Sequence, residues 1–188
     1  MNKLEQGVEI NEDRPETLYH GSVIREIKQL RPRQESVRDK GEGAVVFATP
    51  DIALASICLF EHGDSWTYWG KFNGVPYIVI SDQKRFLEDD SGGAIYSFSS
   101  EGFDFDLDKG MGDNEWTSSD AVAIEDTEEY DSALKAMLEN GVQVYFIDKE
   151  TFEDVKVAED HGRSILTGLE SENQKRGINI RDLNGPED

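Results

Sequence analysis

Residues 17–22, TLYHGS, place one of the chain's 3 histidines between an apolar run and a Gly-Ser turn. A neutral imidazole can donate one hydrogen bond and accept another, so His20 suits a sugar hydroxyl. Gly21 permits close approach of the backbone to a flat ligand, and Ser22 adds a hydroxyl. Three interpretations of His20 compete: the polar end of a strand, a metal ligand, or a residue that orients a polar ligand. No second histidine or cysteine is spaced to share a metal, so no metal site is predicted.

The other histidines and the single cysteine indicate no site. His62 and His161 lack companions at metal-ligand spacing and are predicted to be structural or exposed. Cys58 lies in the apolar run IALASICLF and is predicted to be a buried thiol. Because it is alone, the chain has no internal disulfide and no cysteine-based zinc site.

Apolar spacing and turn signals predict the elements that must position these residues. Strands are predicted over TLYH, AVVFAT, VPYIVIS, GAIYSFSS, EWTSSDAVAI and VQVYFID. Helices are predicted over SVIREIKQL with Ser22 as its cap, PDIALASICLFEH after Thr49, EEYDSALKAMLEN after Thr127, and DHGRSILTGLE. This order does not repeat as βαβ, so it predicts one α+β domain and not a doubly wound parallel sheet.

Composition and charge limit the classes of protein that fit. With 188 residues, 37% hydrophobic and 10% aromatic, the chain can bury a core. We expect it to divide into a polar N-terminal segment (1–16), a single domain (17–171) and a polar, mobile tail (172–188). The net charge of -21 repels phosphate backbones and anionic membranes, so double-stranded nucleic acid and membranes are poor partners. With no long apolar stretch and a polar N-terminus, we expect a soluble, cytoplasmic protein.

Three motifs in order carry a resemblance to a known family. LYHGS, VVFATPDIALAS and EWTSSDAV, with a helix and GVQVYFID behind them, resemble the ADP-ribosyltransferase fold over roughly residues 17–148. The resemblance is to the His-Tyr-Glu branch, which includes poly(ADP-ribose) polymerases, diphtheria-type toxins and bacterial RNA 2'-phosphotransferase relatives. Small uncharacterised bacterial proteins share a similar YHGS…VFATPD pattern. The resemblance implies split antiparallel β-sheets with flanking helices and an NAD cleft between the sheets.

The resemblance also implies which residues form the site. His20 would hydrogen-bond a ribose hydroxyl of NAD, the backbone of Gly21 would hold the nicotinamide amide, and Ser22 would add a third polar contact. Glu115 would bond the nicotinamide-ribose 2'-hydroxyl, stabilise the oxocarbenium character as nicotinamide leaves, and orient the acceptor. Glu115 and His20 are therefore the catalytic candidates. A cluster after the HGS turn lies where the family contacts phosphate and ribose: Arg25, Arg31, Arg33 and Arg38.

The chain departs from the family at the tyrosine that stacks on nicotinamide. In the direct alignment Val46 takes its place, and a shift of one residue brings Phe47 there. Stacking needs a π face and no hydroxyl, so Phe47 is the cofactor-binding candidate. Strand alternation sends the two side chains to opposite faces, so only one of them can face the cleft.

The acidic loop before Glu115 offers a competing interpretation. Asp104, Asp106, Asp108 and Glu115 match positions one, three, five and twelve of a calcium-binding EF-hand loop, but Lys109 replaces the required glycine. The flanking segments are strand-like, so we expect a solvated connection between two strands without calcium.

Three functions remain open at this level. The first is NAD-dependent ADP-ribosyl transfer or NAD glycohydrolysis, with NAD as substrate and a protein as a candidate acceptor. The second is a catalytically degenerate family member that binds a nucleotide-like ligand or a protein partner, which Val46 favours. The third, suggested only by charge, is an acidic interaction protein.

Overall fold

The computed structural model describes residues 14–33, 43–105 and 114–175, which form eleven strands and five helices. The strands are β1 (Thr17–Ser22), β2 (Gln29–Leu30), β3 (Val46–Ala48), β4 (Thr67–Phe72), β5 (Val75–Ile80), β6 (Gly93–Ser99), β7 (Asp104–Phe105), β8 (Trp116–Ser118), β9 (Val122–Ala123), β10 (Asp126–Tyr130) and β11 (Gln143–Phe146). The helices are α1 (Ile52–Ile57), α2 (Gln83–Asp89), α3 (Ala133–Glu139), α4 (Lys149–Val157) and α5 (Arg163–Lys175). No helix in these ranges is long and apolar enough to cross a membrane.

The strands form four small sheets, and the predicted α+β class is confirmed. Two three-stranded sheets, β1-β6-β10 and β3-β8-β7, are antiparallel, and β2 pairs with β9. The fourth sheet, β11-β5-β4, is mixed, since β11 runs parallel to β5. The expectation of antiparallel sheets alone was therefore too simple. The long chain between β5 and β11 supplies the crossover that a parallel pair requires.

A two-residue bridge joins the first two of these sheets. The Tyr19 and Thr49 backbones exchange hydrogen bonds of 2.8 and 2.9 Å, which places β1 beside the end of β3. α1 follows this bridge directly and packs against β1. His20 and Phe47 are thereby brought together although 27 residues separate them.

Three clusters of buried side chains form the core. One lies around α1, α3 and the inner face of β5, and includes Ile57. The second lies between the two antiparallel sheets and includes Phe98. The third lies under α4 and α5 and includes Phe152. Each of these three side chains is at most 2% exposed, so each stabilises the fold by roughly 1.5–3 kcal/mol through burial.

The helix predicted over SVIREIKQL is wrong. β1 continues through Ser22, and the chain then runs irregularly to β2. The Tyr96 hydroxyl donates to the Ile24 carbonyl at 2.6 Å and accepts from the Ile27 amide at 3.2 Å. A buried side chain of β6 thus satisfies backbone groups that a helix would have satisfied internally.

Two other helix boundaries also differ from the prediction. Residues expected to open a helix after Thr127 instead form β10, which pairs with β6, and α3 begins only after its cap, Ser132. α1 is capped by Asp51, whose carboxylate accepts from the Ala53 amide at 3.0 Å. Thr49 accepts from the Asp51 amide and so supports the cap from outside the helix. β4, α2 and α4 were not predicted, and β4 is important for the site.

Candidate functional site

His20 lies near the end of β1 with its ring tied to the neighbouring sheet. Its Nδ1 donates to the Phe47 carbonyl at 2.9 Å. Burial lowers the pKa of His20 below its usual value; the bond to Phe47 opposes this shift and the Arg33 guanidinium adds to it. His20 is therefore neutral at pH 7 with its proton on Nδ1. In that tautomer Nε2 is a hydrogen-bond acceptor, available to a hydroxyl donor.

A mostly apolar cavity of about 150 Å³ adjoins His20; we call it the ring cavity. It is lined by Tyr19, His20 and Gly21 of β1, by Phe47, Ala48 and Thr49, by Leu54, Ala55, Ile57 and Cys58, by Trp69 of β4, and by Glu115. An apolar cavity of this volume holds one benzene-sized ring. The structure thus brings four predicted residues, His20, Gly21, Phe47 and Glu115, around a space that fits a single aromatic ring.

Gly21 lines the ring cavity because β1 approaches α1 very closely at that point. A Cβ built on Gly21 would lie 1.9 Å from the Ala55 carbonyl oxygen. Only glycine allows this approach of strand backbone to helix backbone. The structure thus gives Gly21 a packing role in addition to the ligand contact that the family resemblance implies.

Phe47, and not Val46, faces the ring cavity. Val46 is 4% exposed, packs in the second core cluster and lines a smaller neighbouring cavity. Phe47 lines both cavities. Of the two residues, Phe47 is therefore the one that lines the ring cavity.

Glu115 reaches the ring cavity from the residue before β8. Its Oε1 has no contact with solvent. Lys71 of β4 donates to the side-chain oxygen of the preceding residue, Asn114, at 2.5 Å. Lys71 also pairs with Asp51 at 2.8 Å. The glutamate therefore enters the site beside an anchored residue.

Trp69 is the functional candidate that sequence reasoning missed. It lies on the unpredicted strand β4, lines the ring cavity and remains 38% exposed. An exposed indole on the wall of an apolar cavity is suited to stack on a flat ligand. The alternation TYWGKF was a usable signal for a strand, but it did not show which residue faces the site.

A second cavity of about 110 Å³ shares the His20 and Phe47 wall, and we call it the basic cavity. It is lined by His20, Ser22, Ile27, Gln29, Leu30, Arg31, Arg33, Val45, Val46 and Phe47. Ser22 therefore lies in this cavity and not in the ring cavity.

Only part of the predicted arginine cluster lines the basic cavity. Arg25 does not; it donates to the Ser91 and Tyr130 carbonyls and so ties the β1–β2 segment to neighbouring turns. Arg38 lies outside the described residues. Arg31 and Arg33 are therefore the arginines that the structure places at the site.

The remaining sequence candidates lie apart from this site or contribute no ionised group. Cys58 is exposed at the cavity wall, contrary to the expected buried thiol, and its thiol donates to the Leu54 carbonyl at 3.8 Å. Within the described ranges no three His, Cys, Asp or Glu residues are grouped to hold a metal. The predicted strands on either side of the acidic loop are confirmed as β6 and β8. Asp104, expected in the loop, instead lies in β7, which pairs with β8, and Asp106, Asp108 and Lys109 lie outside the described residues.

Comparisons with protein-family models, with curated proteins and with solved structures found no match. The geometry of the two cavities is therefore the basis for a functional proposal.

Proposed function

We propose that this chain adopts an ADP-ribosyltransferase-like fold and acts on NAD, by ADP-ribosyl transfer or by hydrolysis. The observation that carries the proposal is the convergence of His20, Phe47 and Glu115 on one cavity. These residues come from three distant parts of the sequence, and the ordered motifs, with the register shifted by one residue at the tyrosine, imply the same three. A histidine that served only as the polar end of a strand would not be expected to line a ring-sized cavity together with a carboxylate.

The two cavities fit the two chemical halves of NAD. The nicotinamide ring is matched in size by the ring cavity, where Phe47 and Trp69 offer aromatic faces. The phosphates need a local positive site in a protein of net charge -21, and Arg31 and Arg33 supply it in the basic cavity. His20 stands on the wall between them, where a ribose hydroxyl can donate to its Nε2.

The reaction breaks the bond between C1' of the ribose and the nicotinamide nitrogen. Nicotinamide leaves with the electron pair, and positive charge develops on the ribose. Glu115 stabilises that charge, and its desolvated oxygen increases the electrostatic effect. Water or an acceptor nucleophile then forms a bond to C1' and releases one proton. Hydrolysis gives ADP-ribose, and transfer gives an ADP-ribosylated acceptor.

The test measures nicotinamide release and NAD affinity in parallel. Glu115→Gln should lower kcat by about 10²–10³-fold and leave the Kd for NAD nearly unchanged, because the charge acts mainly in the transition state. Glu129→Gln, on the exposed edge strand β10, is the matched control and should leave both values unchanged. Release that is indifferent to Glu115→Gln, or absent from the wild type, would contradict the proposed chemistry.

A second candidate is binding of a nucleotide-like ligand without chemistry. It is favoured by the absence of the family tyrosine, whose place Val46 takes in the direct alignment and Phe47 takes in the shifted one. Wild-type protein that binds NAD and releases no nicotinamide would establish this alternative. Loss of that binding on Phe47→Ala would assign it to the ring cavity.

A further inference from the structure

We infer that Lys71 is a positioning residue that fixes Glu115 relative to the rest of the ring cavity. The inference rests on the proposed function, since it assigns Lys71 a task in the same reaction. Lys71 does not line the cavity itself. Its ammonium group instead bonds β4 to two other segments of the cavity wall, the start of α1 and the residue before Glu115.

The first connection is to the start of α1. Lys71 Nζ lies 2.8 Å from Asp51 Oδ2, while Oδ1 of the same carboxylate caps α1 through the Ala53 amide. Both side chains of the pair are about three-quarters buried, at 25% and 24% exposed, so solvent screens it less than a surface pair. The pair thus ties β4 to the helix that supplies the apolar wall of the cavity.

The second connection is to the residue before Glu115. Lys71 Nζ donates to Asn114 Oδ1 at 2.5 Å. Asn114 lies outside any strand, and β8 begins only at Trp116. The hydrogen bond to Asn114 therefore fixes the backbone next to Glu115, whose side chain lines the cavity.

The strand itself relates Lys71 to Trp69. The two residues are two positions apart on β4, so their side chains leave the same face of the strand. The strand that carries Trp69 is thereby bonded, through Lys71, to the start of α1 and to the residue before Glu115. Misplacement of a catalytic group by about 1 Å can cost roughly 10²-fold in rate, so such a tether has a direct catalytic consequence.

The experiment measures kcat and KM for nicotinamide release from NAD in full-length variants. Lys71→Met should lower kcat by about 10- to 100-fold with KM nearly unchanged. Lys71→Arg should recover most of the lost rate, because a guanidinium can reach both acceptors. Lys135→Met, which removes an exposed helix pair with Glu139 on α3, is the control and should leave kcat unchanged.

A double-mutant cycle tests whether Lys71 acts through Asn114. Asn114→Ala should reproduce the effect of Lys71→Met, and the double variant should be no slower than either single variant. Additive losses in kcat would overturn the inference, as would a Lys71→Met enzyme that changes only KM.

A second readout separates this inference from the proposed function. Amide hydrogen exchange across residues 114–118 should be at least several-fold faster in Lys71→Met than in wild type or Lys135→Met. If wild-type protein releases no nicotinamide, the proposed function fails and the exchange measurement alone decides the tether. Unchanged exchange would show that Lys71 does not position this segment.

Discussion

Gly21→Ala probes the contact that builds the ring cavity. The added Cβ would lie 1.9 Å from the Ala55 carbonyl oxygen and 2.9 Å from its carbonyl carbon. Ordinary contact begins near 3.4 Å, so β1 and α1 would have to separate by about 1.5 Å. The opposing atoms are helix backbone, which cannot rotate away as a side chain can. Overpacking of this kind costs roughly 1–3 kcal/mol, and we expect a value near the upper end.

The assay is thermal unfolding, with Tm measured by calorimetry. For a chain of this length each kcal/mol shifts Tm by about 2–4 °C, so Gly21→Ala should lower Tm by about 6–12 °C. Gly168→Ala in α5 is the matched control, because its Cβ would enter open space. It should stabilise the protein by about 0.5–1 kcal/mol. A Gly21→Ala protein that melts within about 1 °C of wild type would refute the close contact between β1 and α1.

The same structure predicts two further outcomes. Val46→Tyr should overpack the second core cluster, lower the free energy of unfolding by about 1–3 kcal/mol and leave nicotinamide release no faster. Phe47→Tyr should be tolerated and keep NAD binding. A Val46→Tyr enzyme with higher activity would indicate that position 46, and not position 47, faces the ligand. Burial lowers the folded-state pKa of His20 below 6.5, so the unfolded state binds the proton more readily. The stability that neutral His20 confers is therefore present above about pH 6.5 and is lost as the pH falls toward the folded-state pKa. The unfolding free energy of wild type minus that of His20→Gln, measured in urea between pH 5 and 7.5, should therefore decrease on acidification. A constant difference would contradict a partly buried, neutral His20.

Short sequence patterns predicted β1 and α1, the two elements of the site that each come from one continuous run of residues. The run TLYH predicted a strand, which the structure extends to Ser22, and the apolar helix pattern predicted α1. The prediction failed where tertiary partners overrode local preference. Ile24 and Ile27 have helical spacing, yet the Ile24 carbonyl and the Ile27 amide are both hydrogen-bonded to the Tyr96 hydroxyl.

The residues that complete the site depend on contacts between distant segments. Trp69 and Lys71 lie on β4, whose role is set by pairing with β5 and by contacts with Asp51 and Asn114. No sequence period shows which face of such a strand meets the cavity. Likewise, the sequence does not show which of Val46 and Phe47 lines the ring cavity, because Trp69 and Glu115, distant in sequence, form part of its wall.

The central claim is that the ring cavity, with His20 at its edge, binds the nicotinamide end of NAD. Isothermal titration with NAD at pH 7.5, on wild type and His20→Ala, tests it most directly. We expect NAD to bind saturably and free nicotinamide to compete with it. His20→Ala should weaken it by about 1 kcal/mol or more, since a ribose hydroxyl loses its acceptor. No heat of binding, or binding that is the same in His20→Ala, would contradict the claim.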